Sequence, residues 1–198
     1  SGKSSTLAGL VHEINVKRRC HVLTLEQPVE MLHRPQRAFI RQREVGRHTP
    51  SFRQGLLDAL REDIDVLLVG EMRDRETMRL TLDACETGHL VLATLHSSSC
   101  TDALQRVVAA FPADEQPSVC AQLADSLVGV VAQRLVVRDD LGLRVPECEV
   151  LQGSTAARAV VRQGQLHKLA TVLQTGAEQG QWTRERYRRW LDAYEDWS

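Results

Sequence analysis

The sequence predicts an α/β fold: a mostly parallel sheet covered by helices on both faces, followed by a helical C-terminal region with a small hairpin. Three observations predict it. His21–Leu25, Asp65–Val69 and His89–Leu95 are short aliphatic runs bounded by charged or turn-forming residues, the pattern of strands buried on both sides. The segments between them place apolar residues at three- and four-residue steps, the period of a helix. Strand and helix alternate, and strands joined through helices pair in parallel because the crossover returns the chain to the same sheet edge.

The first helix runs from Ser4 to about Arg19, with Leu7, Leu10, Val11 and Ile14 on one face. His21–Leu25 follows as a strand, and Glu26-Gln27-Pro28 ends it, since proline cannot continue a ladder. Residues 29–50 look irregular, apart from an edge strand at Ala38–Arg43 and a turn at Gly46. Ser51 caps a second helix to about Glu62, with Phe52, Leu56, Leu57 and Leu60 inward. The stretch Val66–Asp74, VLLVGEMRD, is a central strand that stops at Gly70-Glu71 and turns polar. Asp74 opens a helix to about Thr87, and Gly88 closes it in the left-handed conformation that glycine tolerates.

After the His89–Leu95 strand, Ser97-Ser98-Ser99 forms a polar loop before a helix from Thr101 to Phe111, which Pro112 breaks. A longer helix is predicted from Ser118 to about Leu135, with Val119, Leu123, Leu127, Val130 and Val131 at helical steps. Val136–Arg138 and Arg144–Leu151 flank the turn Asp139–Gly142 as a hairpin. The chain is helical again from Ser154, and residues 182–197 hold all three tryptophans and both tyrosines. Strand alternation stops near Pro112, which suggests a core over residues 1–111 and a remainder over 112–198.

A net charge of −1 leaves no global attraction for nucleic acid or an anionic membrane. Lys17-Arg18-Arg19 reads as the cationic end of a helix rather than a binding patch. The five cysteines are odd in number and include no CxxC pair, so neither a disulfide framework nor a zinc site is indicated, and a reducing cytoplasm fits. No apolar run approaches the roughly 18 residues of a membrane span, so no direct membrane insertion is expected. The first residue lies inside a motif, so the natural N-terminus, with the strand and the first part of that motif, is expected upstream.

That motif is Ser1-Gly2-Lys3-Ser4-Ser5, the tail of a phosphate-binding loop. In such a loop backbone N–H groups wrap a phosphate, the lysine neutralises β and γ oxygens, and the hydroxyl ligates Mg²⁺. The helix that follows adds its N-terminal dipole. Glu71, at the exit of a buried strand, is placed to hold Mg²⁺ or polarise water, since Asp74 already supplies the helix cap. Lys3 and Glu71 are expected to meet across one nucleotide. Glu26 and Glu30 lie four residues apart beside Pro28, either as a base that orients water or as solvated acids in a turn. His96 follows a buried strand, where it is a contact for a γ-phosphate or water, or a structural histidine. Arg41, Arg43, Arg53, Arg61 and Arg73 crowd the first half, and one of them is a candidate cation for a neighbouring subunit's phosphate.

The segments SGKSS, HVLTLEQPVE, RQREVG, ALREDIDVLLVGEMRD, ETGHLVLATLHSSS, FP, QLADSL and QRLV, in this order, closely resemble the PilT/PilU-type twitching-motility ATPases of the type II and type IV secretion-ATPase superfamily. The resemblance runs from Ser1 to about Gly180. It implies a RecA-like P-loop NTPase core and Mg²⁺-dependent ATP hydrolysis in a homohexameric ring. It further implies a cytoplasmic motor, peripheral at the inner face of the cell membrane, that acts on an inner-membrane pilus platform protein to retract the pilus. By the same resemblance, Gly2, Lys3, Ser4 and Ser5 bind phosphate, with Ser4 and Glu71 at the metal. Glu30 is the general base of an acidic box, Glu71 the glutamate of an atypical Walker B motif in which Gly70 replaces the usual aspartate, and His96 the His-box histidine. Arg61 lies where charges reach an adjacent site.

Two departures stand out. The family's acidic box commonly reads EDPIE, and Gln27 replaces the second acid here. A late family segment close to AIRNLIREG reads AARAVVRQG at residues 156–164, which makes retraction less secure than hydrolysis. A pilus-assembly or type II secretion ATPase is an alternative, although such relatives usually carry a four-cysteine zinc insert where this chain has only Cys148. A nucleotide-binding accessory ring subunit without turnover is another. With half its phosphate loop, this stretch alone is expected to turn ATP over poorly.

Overall fold

The computed structural model describes residues 2–140 and 142–194. The chain divides into two compact units, one of Lys3–Leu95 and one of Gly2 with the residues from His96 onward. The division therefore falls ahead of Pro112, because the helix before that proline packs with the late hairpin.

In the first unit, helix α1 spans Lys3–Lys17, strand β1 His21–Glu26 and strand β2 Phe39–Glu44. Helix α2 spans Phe52–Ala59, strand β3 Val66–Val69, helix α3 Arg75–Glu86 and strand β4 Leu90–Ala93. The sheet order is β2-β1-β3-β4, and every neighbouring pair is parallel. All four residues of β3 are buried, as a strand between two parallel neighbours and two helical layers requires. Alternate side chains serve the two faces. Val22, Val66 and Leu68 pack with Val11 of α1, while Leu23, Leu25, Leu67 and Val69 pack with Leu56 of α2 and Ala84 of α3. Ser51 and Asp74 cap α2 and α3 as expected, accepting from the backbone N–H of Gln54 and Thr77. Gly88 closes α3 with φ +96°.

One inward residue of α1 is not where the periodicity put it. Leu10 is 45% exposed, while Asn15, a polar residue, is buried. The reason is the segment that leads into β2. Asn15 Nδ2 donates to Arg34 O at 2.8 Å, its Oδ1 accepts from Gln36 N at 2.9 Å, and its carbonyl accepts from Arg37 N at 2.9 Å. One side chain thus satisfies a loop that has no ladder of its own.

In the second unit, helix α4 spans Cys100–Ala109, helix α5 Gln116–Ser126, strand β5 Gly129–Arg138 and strand β6 Leu143–Gln152. Helices α6, Thr155–Arg162, α7, Leu169–Thr175, and α8, Arg184–Ala193, follow. The long helix predicted to Leu135 is corrected: it ends at Ser126, and residues 129–138 are the first arm of the hairpin. Its apolar steps fit either period, but Gly129 stops a helix and the valines at 130, 131, 136 and 137 favour an extended chain. A Cβ on Gly129 would also lie 3.1 Å from Leu151 O across the ladder. The hairpin itself stands, with longer arms and Gly142 at φ +62° in its turn.

Glu147 of β6 is buried, with Arg134 Nη2 at 2.9 Å and Arg188 Nη2 of α8 at 3.3 Å from its Oε1. Cys100, Cys120 and Cys148 are buried and unbridged, and burial pushes the Cys100 thiol up to about 12, so it stays protonated. Among the described residues no helix is long and apolar enough to cross a membrane.

Asn15→Leu keeps the branched shape of the side chain and orphans the groups it serves. It should lower unfolding free energy by about 1–3 kcal/mol. Denaturant titration checks this, and an unchanged midpoint would contradict the role given to Asn15.

Candidate nucleotide site

Register decides what meets at the sheet edge. Leu25 of β1, Val69 of β3 and Ala93 of β4 are partners across the ladder. The next residues, Glu26, Gly70 and Thr94, therefore leave the sheet side by side at its C-terminal edge, where open parallel sheets bind ligands.

Three hydrogen bonds stitch the exit of β3 to its neighbours. Gly70 N donates to Leu25 O at 2.8 Å, Met72 N donates to Thr94 O at 3.0 Å, and the Thr94 hydroxyl donates to Gly70 O. Gly70 is needed there. A Cβ would lie 3.0 Å from Leu25 O and 3.3 Å from Glu26 Cα, both on the backbone of a buried strand. This packing accounts for a glycine at this position. Glu71 is the first residue past it, 20% exposed at its side chain, and Arg73 Nε donates to its Oε2 at 2.6 Å.

The first turn of α1 comes to the same edge. Lys3 is its first residue, and Lys3 Nζ donates to Leu95 O at 3.1 Å, just beyond β4. Ser4 and Ser5 follow on the exposed surface. The first N–H groups of a helix have no intrahelical acceptor, and no acidic side chain stands in this turn to fill the anion's place. Gly2 enters the helix with φ +79°, in the left-handed region. Gly2 belongs to the second compact unit, where a Cβ would collide with Gln133 Nε2 at 2.5 Å.

The acidic segment is held by β2. Glu26 Oε1 accepts from Thr24 Oγ1 at 2.6 Å and from Gln42 Nε2 at 3.3 Å. Val29 N donates to Glu44 Oε2 at 3.0 Å, and Gln42 also bonds the backbone of Met31 and His33. Glu30 and Gln27 are both exposed on this tethered segment. Burial holds the His33 imidazole below its usual range, against the pull of the Glu26 charge, so His33 adds no positive charge at neutral pH.

Lys3, Glu26 and Glu71 thus share one edge of the first unit. Arg61 does not: it is exposed in the turn after α2 that leads into the start of β3, at the opposite edge. His96 lies in the second unit, and its carbonyl accepts from Arg106 of α4. No motif marks Thr24, Gln42 and Thr94 as supports. Polar residues inside or beside buried strands are the only trace they leave.

Oxygen donors suit magnesium, and the hydroxyl of Ser4 and the carboxylate of Glu71 are of that kind. A magnesium ion that takes one or two protein oxygens and completes its shell from phosphate and water needs no protein cage. Among the described residues no group of three or more metal-binding side chains occurs.

Residues 1–187 match the family described as type II/IV secretion system protein. The chain belongs to that family. Among its relatives, the uncharacterized protein YggR of Escherichia coli is 50% identical over 91% of this chain and 55% of its own length. The type IV pilus retraction ATPase PilT of Pseudomonas aeruginosa is 43% identical over 92% of this chain and 53% of its own. A crystal structure of the pilus retraction motor PilT with bound ADP superposes with a TM-score of 0.83 at 38% identity, covering 99% of this chain and 59% of that one. The chain spans about half the length of these relatives.

Gly70→Ala should cost about 1–3 kcal/mol, because a buried backbone leaves no slack for the added methyl. Comparing denaturation midpoints tests it; a neutral substitution would mean that the exit of β3 is looser than its hydrogen bonds imply.

Proposed function

We propose that this chain is the ATP-hydrolysing part of a ring motor that retracts type IV pili. One observation carries the reading: the Lys3 ammonium, at the N-terminus of a helix, meets the sheet edge from which Glu26 and Glu71 emerge. A lysine, a helix N-terminus and carboxylates converging on one edge suit a nucleoside triphosphate better than any neutral ligand. The PilT relative is named for pilus retraction, and the PilT crystal structure is described with ADP bound.

In this reading the α1 amides and Lys3 bind the β- and γ-phosphates, and Ser4, with Gly2 and Ser5 beside it, orients the phosphate chain. Ser4 and Glu71 would hold Mg²⁺, which when bound offsets negative charge on the phosphates. Arg73 keeps the Glu71 carboxylate in one orientation. Glu30 takes the proton of the attacking water, and His96 contacts the γ-phosphate. Arg61, remote from these groups within its own unit, suits a role in trans, reaching the nucleotide of the next subunit in a homohexamer. The ring would work in the cytoplasm against an inner-membrane platform protein.

Two single substitutions in the full-length protein separate the carboxylates. Glu71→Gln should lower Mg²⁺-dependent phosphate release and raise the Mg²⁺ concentration needed. Glu30→Gln should lower release by about 10²–10⁴-fold with the Mg²⁺ requirement unchanged, as loss of a general base does. A wild-type protein that binds nucleotide without releasing phosphate would instead favour the accessory-subunit reading.

A further inference from the structure

The segment after β4 carries His96 and then three serines, and near neighbours in α4 hold part of its backbone. Arg106 of α4 donates to His96 O, Asp102 Oδ2 accepts from Ser98 N at 3.0 Å, and Ser99 Oγ caps α4 by accepting from Asp102 N at 3.1 Å. These are contacts of a helix with the loop that begins it.

Two braces come from far along the chain: Glu149 Oε1 of β6 accepts from Cys100 N at 2.7 Å, and a second one reaches Ser98 itself. Arg184 Nη2 donates to Ser98 O at 2.8 Å, across 86 residues of sequence. Arg184 is the first residue of α8, and α8 is seated firmly on the hairpin. Trp182 and Val150 exchange backbone hydrogen bonds, both 2.9 Å, just before the helix. Thr183 caps it by accepting from Arg186 N at 3.2 Å. Arg188 binds the buried Glu147 carboxylate through both of its oxygens, and Arg138 Nη1 donates to Leu191 O at 3.1 Å. Burial pushes the Cys148 thiol of β6 up, and the nearby Arg184 charge works against that shift. A guanidinium on so fixed a base can set the position of the carbonyl it holds.

We infer that Arg184 is a positioning residue for the His96 segment: it ties the backbone two residues past His96 to the hairpin-seated helix α8. The inference rests on the proposed role of His96 at the γ-phosphate. It places the C-terminal helix in the hydrolytic cycle, although Arg184 need touch no substrate. A neutral residue at 184 frees the carbonyl of Ser98, while lysine can still donate one hydrogen bond to it.

The test compares wild type, Arg184→Ala and Arg184→Lys in the full-length protein. Backbone hydrogen exchange of residues 97–99 should quicken in Arg184→Ala while residues 104–108 of α4 hold their protection. The kcat for phosphate release should fall by about tenfold with KM for ATP unchanged, since catalytic groups misplaced by about 1 Å lose up to about 100-fold. Arg184→Lys should recover part of both. Unchanged exchange at 97–99 overturns the brace. Quickened exchange with wild-type kcat overturns its catalytic consequence, as does a parallel loss of kcat, KM and unfolding midpoint. A wild-type protein that releases no phosphate defeats the proposed function instead, and the exchange measurement still decides the brace.

Discussion

The structure of the first unit depends on the in-register parallel pairing of β1, β3 and β4. Because the pairing is parallel, every strand delivers its next residue to the same edge. Because it is in register, those residues arrive at one level. Glu26, Gly70 and Thr94 are neighbours for that reason alone, although they are spread over nearly seventy residues of sequence. The Lys3–Leu95 hydrogen bond then brings a helix N-terminus to the same place. The positive helix end attracts an anion, while the Glu26 and Glu71 carboxylates repel one unless a cation lies between them. The arrangement makes chemical sense with a phosphate chain and a cation between them.

Holding that edge uses polar side chains in places where apolar ones would pack better. Thr24 is fully buried and turns its hydroxyl to Glu26. Gln42 serves Glu26, Met31 and His33 together. Asn15 does the same for the stretch before β2. Each ties an irregular segment to a regular one, so the acidic loop is fixed by the strand beside it rather than by its own backbone. Gly70 is the converse case, where the absence of a side chain lets two strands close.

Much of this fold was legible in the sequence, and the misses have physical causes. The strands His21–Glu26 and Val66–Val69, the caps Ser51 and Asp74 and the turn glycine Gly88 follow from local chemistry, which acts within a few residues. The stretch after Leu127 reads as a helix because valines at three- and four-residue steps fit one, while the partner strand that selects the extended form lies beyond the turn. Periodicity places Leu10 inward because it fixes a face but not how far that face is covered. Motif spacing and strand ends point at Lys3, at Glu71 and at the Glu26–Glu30 segment. The supports carry no such mark. Arg184 meets Ser98 and Arg188 meets Glu147 across tens of residues, and no local pattern marks either pair.

The central claim is that the Lys3 ammonium marks the phosphate seat. Its direct test is a titration of ATP and ADP into the full-length protein bearing Lys3→Ala, beside Lys17→Ala, which removes an exposed lysine at the far end of the same helix. The account predicts that Lys3→Ala weakens nucleotide binding at least about tenfold, the loss of one charge-assisted hydrogen bond of about 1.5–3 kcal/mol, while Lys17→Ala binds as wild type. Equal affinities for Lys3→Ala and wild type would contradict it.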